Sequence, residues 1–96
     1  MTSASYEIIM NMRVPEGYIE TGRFFIGTDK ETACEMFARL QGMPALTGTA
    51  MLRMDLVAQE EGIATVIQTL GCTLCEVSEN MKTIMKETFK MLNLNS

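Results

Sequence analysis

The spacing of apolar residues switches twice along this chain, and that switch limits the folds that the chain can adopt. Apolar and polar residues alternate over 6–14 and again over 51–58, which is the period of a half-buried strand. A second β-rich stretch follows each of these, at 18–27 and at 63–70, after turns that contain glycine. Apolar residues at helical spacing then occupy 28–42 and the stretch from residue 73 to about residue 92.

This order predicts an α+β fold with the elements arranged β-β-α-β-β-α. Two hairpins side by side make a four-stranded antiparallel sheet, and two amphipathic helices then cover one face of it, which gives a two-layer sandwich. The 96 residues are expected to form a single domain over 1–96, since a chain of this length buries one modest core. The order also suggests a repeated ββα unit, covering 6–42 and 50–92.

Helix boundaries carry the support for such a repeat. Thr28 with Glu31 has the spacing of a capping box at the start of the first helix, and Thr73 with Glu76 has it at the start of the second. Gly42 is placed to end the first helix in a left-handed conformation. Because two short patterns agree by chance quite often, the repeat remains a hypothesis at this point.

Composition excludes several classes of function. The net charge is −4, from 8 basic and 12 acidic residues, which argues against a nucleic-acid partner because such proteins need a clustered positive surface. No apolar stretch approaches the length of a membrane span, and the first residues do not have the pattern of a signal peptide. Three cysteines without an export signal predict reduced thiols and a cytoplasmic protein.

The chain contains no histidine, and this absence restricts catalysis. Histidine is the most frequent general acid or base and a frequent metal ligand, so Ser-His and Cys-His nucleophiles are excluded within one chain. We therefore predict no catalytic residues, no metal site of the usual histidine type and no cofactor.

The cysteines are the residues most suggestive of chemistry. Cys72 and Cys75 form a C-x-x-C pair at the start of the second helix, where the helix N-terminus would favour a thiolate. The pair has no flanking tryptophan, and Glu76 beside Cys75 disfavours a thiolate. A zinc site would need Cys34 as a third ligand and a fourth ligand from elsewhere. Structural thiols are the favoured interpretation, with redox or metal binding as the alternative.

The second face of the sheet offers a candidate binding surface, because it is too apolar for a wetted face and too charged for a core. In "GRFFIG" the rings of Phe24 and Phe25 are also expected to point to opposite sides of a strand, one inward and one outward. The residues predicted to form the ligand or partner surface are Ile9, Arg13, Met51, Arg53, Asp55 and Val57.

These patterns favour a small non-catalytic binding module that acts as a homodimer through its open sheet face, with a protein or a small molecule as a further ligand. Two alternatives stay open. One is a thiol redox or metal-binding protein that uses the C-x-x-C pair. The other is an enzyme or ligand sensor whose site is assembled from Arg, Asp and Glu groups at a subunit interface. Ten methionines are expected to serve mainly as flexible core filler.

Overall fold

A computed structural model describes residues 4–44 and 50–93, and it shows an α+β fold with an antiparallel sheet and two helices. In chain order the elements are β1 (Ser5–Val14), β2 (Gly17–Phe25), α1 (Lys30–Ala38), β3 (Met43–Pro44), β4 (Leu52–Glu60), β5 (Ile63–Cys72) and α2 (Leu74–Asn93). The two alternating segments and the two β-rich segments form the four long strands, so the predicted switch between strand and helix spacing is confirmed.

The sheet has five strands in the order β2-β1-β4-β5-β3, and every pair of neighbours is antiparallel. The prediction of four strands was therefore wrong by one short edge strand. In β3, Met43 pairs with Gly71 and Pro44 pairs with Leu70. Two residues are too few to show any periodicity, and an edge position is one of the few places where a sheet accepts proline. The observed order is thus β-β-α-β-β-β-α.

Gly42 is needed for close approach rather than for ending the helix. Helix α1 ends at Ala38 and is capped at Arg39, three residues before Gly42, so the prediction that Gly42 ends this helix was wrong. Its φ is +150°, and a Cβ added there would lie 2.9 Å from the carbonyl oxygen of Gly71. Only a glycine lets the chain pass this close to β5, and the pairing of β3 follows directly after it.

The two helices begin in different ways, although the sequence suggested the same capping box for both. In α2 the prediction is confirmed: the Thr73 N–H donates to Glu76 Oε1 at 2.9 Å, and the Glu76 N–H donates to Thr73 Oγ1 at 3.1 Å. In α1 the prediction was wrong, because Asp29 is the N-cap and accepts from the Thr32 N–H at 3.0 Å. Aspartate is a stronger N-cap than threonine. The repeat of 6–42 and 50–92 remains a prediction.

One buried cluster joins the sheet to both helices. Ile8, Met54 and Leu56 are fully buried on one side of the central strands β1 and β4. Phe37 of α1 and Ile84 of α2 belong to the same cluster. Register places Ile8 opposite Leu56, so these side chains form a continuous apolar layer under the helices. The side of β1 and β4 that points away from this cluster is called the open face below.

Asn80 ties the second helix to the segment that follows the first. Its side chain is 1% exposed, and its Oδ1 accepts from the Gln41 N–H at 2.7 Å while its Nδ2 donates to the Gln41 carbonyl at 2.8 Å. Both backbone groups of Gln41 are thereby satisfied in a segment without regular structure. These two hydrogen bonds between Asn80 and Gln41, called the Asn80 clamp below, fix the path of the chain between α1 and β3.

Candidate functional site

The centre of the open face is a closed polar cluster around Asp55. Asp55 is 3% exposed, although neither of the two described helices covers this face. Asn11 donates to its carboxylate at 2.9 Å, Thr69 donates at 2.8 Å, and Arg53 Nη2 lies 3.2 Å from Oδ2. The Arg53 guanidinium also stacks 4.3 Å above the ring of Tyr18. The carboxylate is engaged by three side chains of its own chain.

A second polar cluster lies beside the first, towards the β2 edge. Arg23 Nη1 donates to Glu7 at 2.5 Å, and Arg23 Nη2 donates to Glu20 at 2.8 Å. Gln59 completes the cluster by donating to the same oxygen of Glu7 at 3.3 Å. The hydrogen bond between Arg23 and Glu20 lowers the pKa of Glu20 and raises the pKa of Arg23. Both groups therefore stay charged over the physiological pH range.

The structure distributes the six residues of the predicted surface unevenly. Register with β4 places Ile9 opposite Asp55, and Arg53 and Val57 point to the same side of that strand. Val57 is buried, however, so it offers no contact area to a partner. Met51 is exposed just before β4, and Arg13 is exposed at the end of β1, where the Arg13 N–H donates to the Met51 carbonyl at 2.8 Å. The open face is thus largely closed by interactions within the chain.

The C-x-x-C pair is split between two environments. Cys72 is buried in the core cluster, whereas Cys75 is exposed in the first turn of α2, and both thiols are free. Burial, assisted by the nearby Glu76 carboxylate, raises the pKa of the Cys72 thiol to about 11, and the hydrogen bond from Asn80 opposes this only partly. A redox dithiol needs an accessible low-pKa thiolate, and Cys72 has the opposite properties.

Cys34 does not join the pair in a metal site. It is half-buried against the core cluster from α1. Within the parts of the chain that the structure describes, no three cysteine, aspartate or glutamate side chains are grouped so that they could hold a metal ion.

Neither helix in the described ranges is long and apolar enough to cross a membrane.

One concave surface of the described residues is an apolar groove between the end of β2 and the C-terminal half of α2, with a volume of about 390 Å³. Phe25, Met85 and Phe89 are 58%, 61% and 66% exposed. Three large apolar side chains that are exposed around one groove exceed the scattered exposure that is normal on a small protein. The residues that line it are Arg23, Phe24, Phe25, Ile84, Met85, Thr88 and Phe89.

The groove adjoins the outer edge of the sheet. β2 is nine residues long and ends the strand order, so no described strand pairs with its outer side. Register with β1 places Phe24 towards the helices and Phe25 towards the open face, which confirms the predicted split of the two rings. A β-bulge at Thr21 interrupts this register, because Met10 pairs with Gly22 while Asn11 pairs with Glu20.

Sequence reasoning missed this groove, since its walls come from segments about sixty residues apart. A signal was nevertheless present in α2. Ile84, Met85 and Phe89 all belong to the apolar residues at helical spacing in that helix, whereas only Ile84 of the three is buried. When the apolar stripe of a helix is wider than the area that packs on the sheet, some of its apolar side chains stay exposed and can contact a partner.

Comparisons with known proteins identify no relative: no protein-family model matches the chain, and neither a curated protein nor a solved structure matches it.

Proposed function

We propose that this chain is a small non-catalytic interaction module that works as a homodimer, with the β2 edge and the adjoining apolar groove as its contact surface. The observation that carries the proposal is the cluster of three large exposed side chains, Phe25, Met85 and Phe89, beside an edge strand. Apolar and aromatic residues of this kind dominate the centres of protein interfaces.

A second copy is the occupant that this surface fits. An unpaired edge strand presents backbone N–H and C=O groups that another copy of the same strand satisfies about a twofold axis. Charges on β2 support this symmetry, since Glu20 and Arg23 lie on either side of the bulge and have opposite signs. The reduced, half-buried and exposed thiols are consistent with a cytoplasmic module of this type.

Catalysis receives less support from the geometry. The carboxylate of Asp55 is buried and engaged within the chain, so it is not available as an acid, a base or a substrate-binding group. The raised pKa of Cys72 likewise weakens the thiol redox alternative. An enzyme or sensor with a site at a subunit interface would first require the dimer proposed here.

The experiment compares groove variants with a control of matched exposure. Phe25→Ser and Phe89→Ser should each weaken the dimer about tenfold or more, because a buried aromatic contact at an interface contributes at least about 1.4 kcal/mol. Ile63→Ser is the control, since Ile63 is 68% exposed and does not line the groove, and β5 is three strands away from β2 in the sheet. Sedimentation equilibrium gives the dissociation constants, and circular dichroism checks that each variant is folded.

The open face is the second candidate surface, supported by exposed Met51 and Val66. Met51→Lys and Val66→Lys test it, and circular dichroism checks that the second variant is folded, because Val66 pairs with the buried Val57. Loss of the dimer in these variants, with no change in the groove variants, would move the interface to the open face. A wild-type chain that stays monomeric at high concentration, or that carries a small molecule in native mass spectrometry, would refute the proposal.

A further inference from the structure

We propose that the two copies join edge to edge through β2 in one antiparallel register, so that their sheets become a single continuous sheet. The inference rests on the homodimer proposed above and specifies its geometry. In this register Tyr18 of one copy faces Phe25 of the other, Ile19 faces Phe24, and Glu20 faces Arg23. The twofold axis passes between the two bulges, which face each other.

Backbone direction supports this register. The Tyr6 N–H donates to the Gly27 carbonyl, and the Tyr6 carbonyl accepts from the Ile26 N–H, so Tyr6 directs its backbone groups towards β2. Every second residue of β1 does the same, and the residues of β2 opposite them direct theirs back to β1. The residues of β2 whose backbone groups point outward are therefore Tyr18, Glu20, Arg23 and Phe25. The register pairs these four residues only with one another.

Side-chain direction supports the same register. Glu20 and Arg23 pair with Asn11 and Ile9 of β1, which places both on the open face in spite of the bulge between them. Ile19 and Phe24 pair with Met12 and Ile8, which places both on the side of the helices. Facing residues must lie on the same side of a sheet, and each proposed pair meets that requirement.

The register also fills the groove. Ile19 is 46% exposed on the helix side of β2, at the end away from the groove of its own chain. In the dimer it lies next to Phe24 of the other copy, which lines that copy's groove. The twofold axis repeats this contact, so each groove receives the Ile19 side chain of the other chain. Apolar surface that is exposed in the monomer is thereby buried at two symmetric places in the dimer.

Charge restricts the pairing to a second copy. A bulge and charged side chains on an edge strand normally prevent pairing with other strands. Here, each bulge faces the same bulge, and each Glu20 faces an Arg23 that already bonds to the Glu20 of its own chain at 2.8 Å. Four charges then alternate in sign across the junction. A foreign strand would have to meet the same pattern, so these features select the chain's own β2.

The test uses two charge reversals, Glu20→Arg and Arg23→Glu. Each variant alone should self-associate about tenfold more weakly than the wild type, because like charges then face each other at both symmetric positions. Mixed in equal amounts, the two variants should form a heterodimer with nearly wild-type affinity, since opposite charges face each other again. Glu35→Arg and Lys30→Glu on α1 provide controls with the same charge changes at exposed positions.

A disulfide cross-link tests the register independently of charge. In a Cys75→Ser background, Glu20→Cys mixed with Arg23→Cys should give a cross-linked heterodimer under mild oxidation, since facing residues lie within disulfide reach. A mixture of the charge variants that remains monomeric, together with absent cross-linking, would refute the register. The homodimer would still stand if the wild type dimerises and the Phe25 and Phe89 variants weaken it.

Discussion

At the scale of single residues, the buried polar side chains were the hardest feature to predict from the sequence. Asp55 was expected on an exposed surface, yet three side chains close around its carboxylate and remove it from water. Asn80 sits in a helix among polar residues and shows no special pattern in the sequence. Apart from Arg53, the partners named for Asp55 and Asn80 lie more than ten residues away, and spacing along one helix or strand does not show such contacts.

Asn80 gives the sharpest prediction at this scale. Asn80→Ala should lower the free energy of unfolding by about 2 kcal/mol, because it removes both side-chain hydrogen bonds to the Gln41 backbone. Ser78→Ala is the control, since Ser78 is exposed on the same helix and its loss should change stability by less than about 0.5 kcal/mol. Urea denaturation measures both values. Equal stability of the two variants would show that the Asn80 clamp contributes nothing.

Regular elements were largely predictable because the period of apolar residues marks them directly. The long strands and α2 match the predicted segments closely, and the capping box of α2 is present as expected. β3 was missed because two residues have no period, and the start of α1 was misplaced because Asp29 and Thr28 are adjacent alternative caps. The predicted start of a helix was thus wrong where two adjacent residues can both act as the N-cap.

At the scale of elements, the close contact between the segment 42–44 and β5 predicts that residue 42 must be glycine. Gly42→Ala should destabilise the fold by at least about 1 kcal/mol more than Gly17→Ala. Both glycines have positive φ, +150° and +139°, so both variants suffer backbone strain. Only the Cβ at residue 42 would meet backbone, 2.9 Å from the Gly71 oxygen, while residue 17 has open space. Thermal denaturation of the two variants that gives equal losses would contradict this explanation.

The arrangement of the whole molecule combines elements that sequence periodicity treats separately. A sheet with helices on one side was predictable, because amphipathic patterns state which faces must be buried. The groove was not predictable, because its walls come from β2 and α2, which are far apart in the sequence. Similarly, the open face is closed by polar networks that form only once β1, β2, β4 and β5 are side by side. The interaction surface that we propose consequently lies at the edge of the sheet instead of on its face.

Amide hydrogen exchange tests edge-to-edge dimerisation most directly, because it reports on the backbone groups that would pair. The amides of Tyr18, Glu20, Arg23 and Phe25 point outward and should exchange slowly at concentrations where the chain is dimeric. On dilution below the dissociation constant their exchange should accelerate, while the amides of β1 and β4 stay protected. Fast exchange of these four amides at every concentration, in a sample shown to be dimeric, would contradict the account.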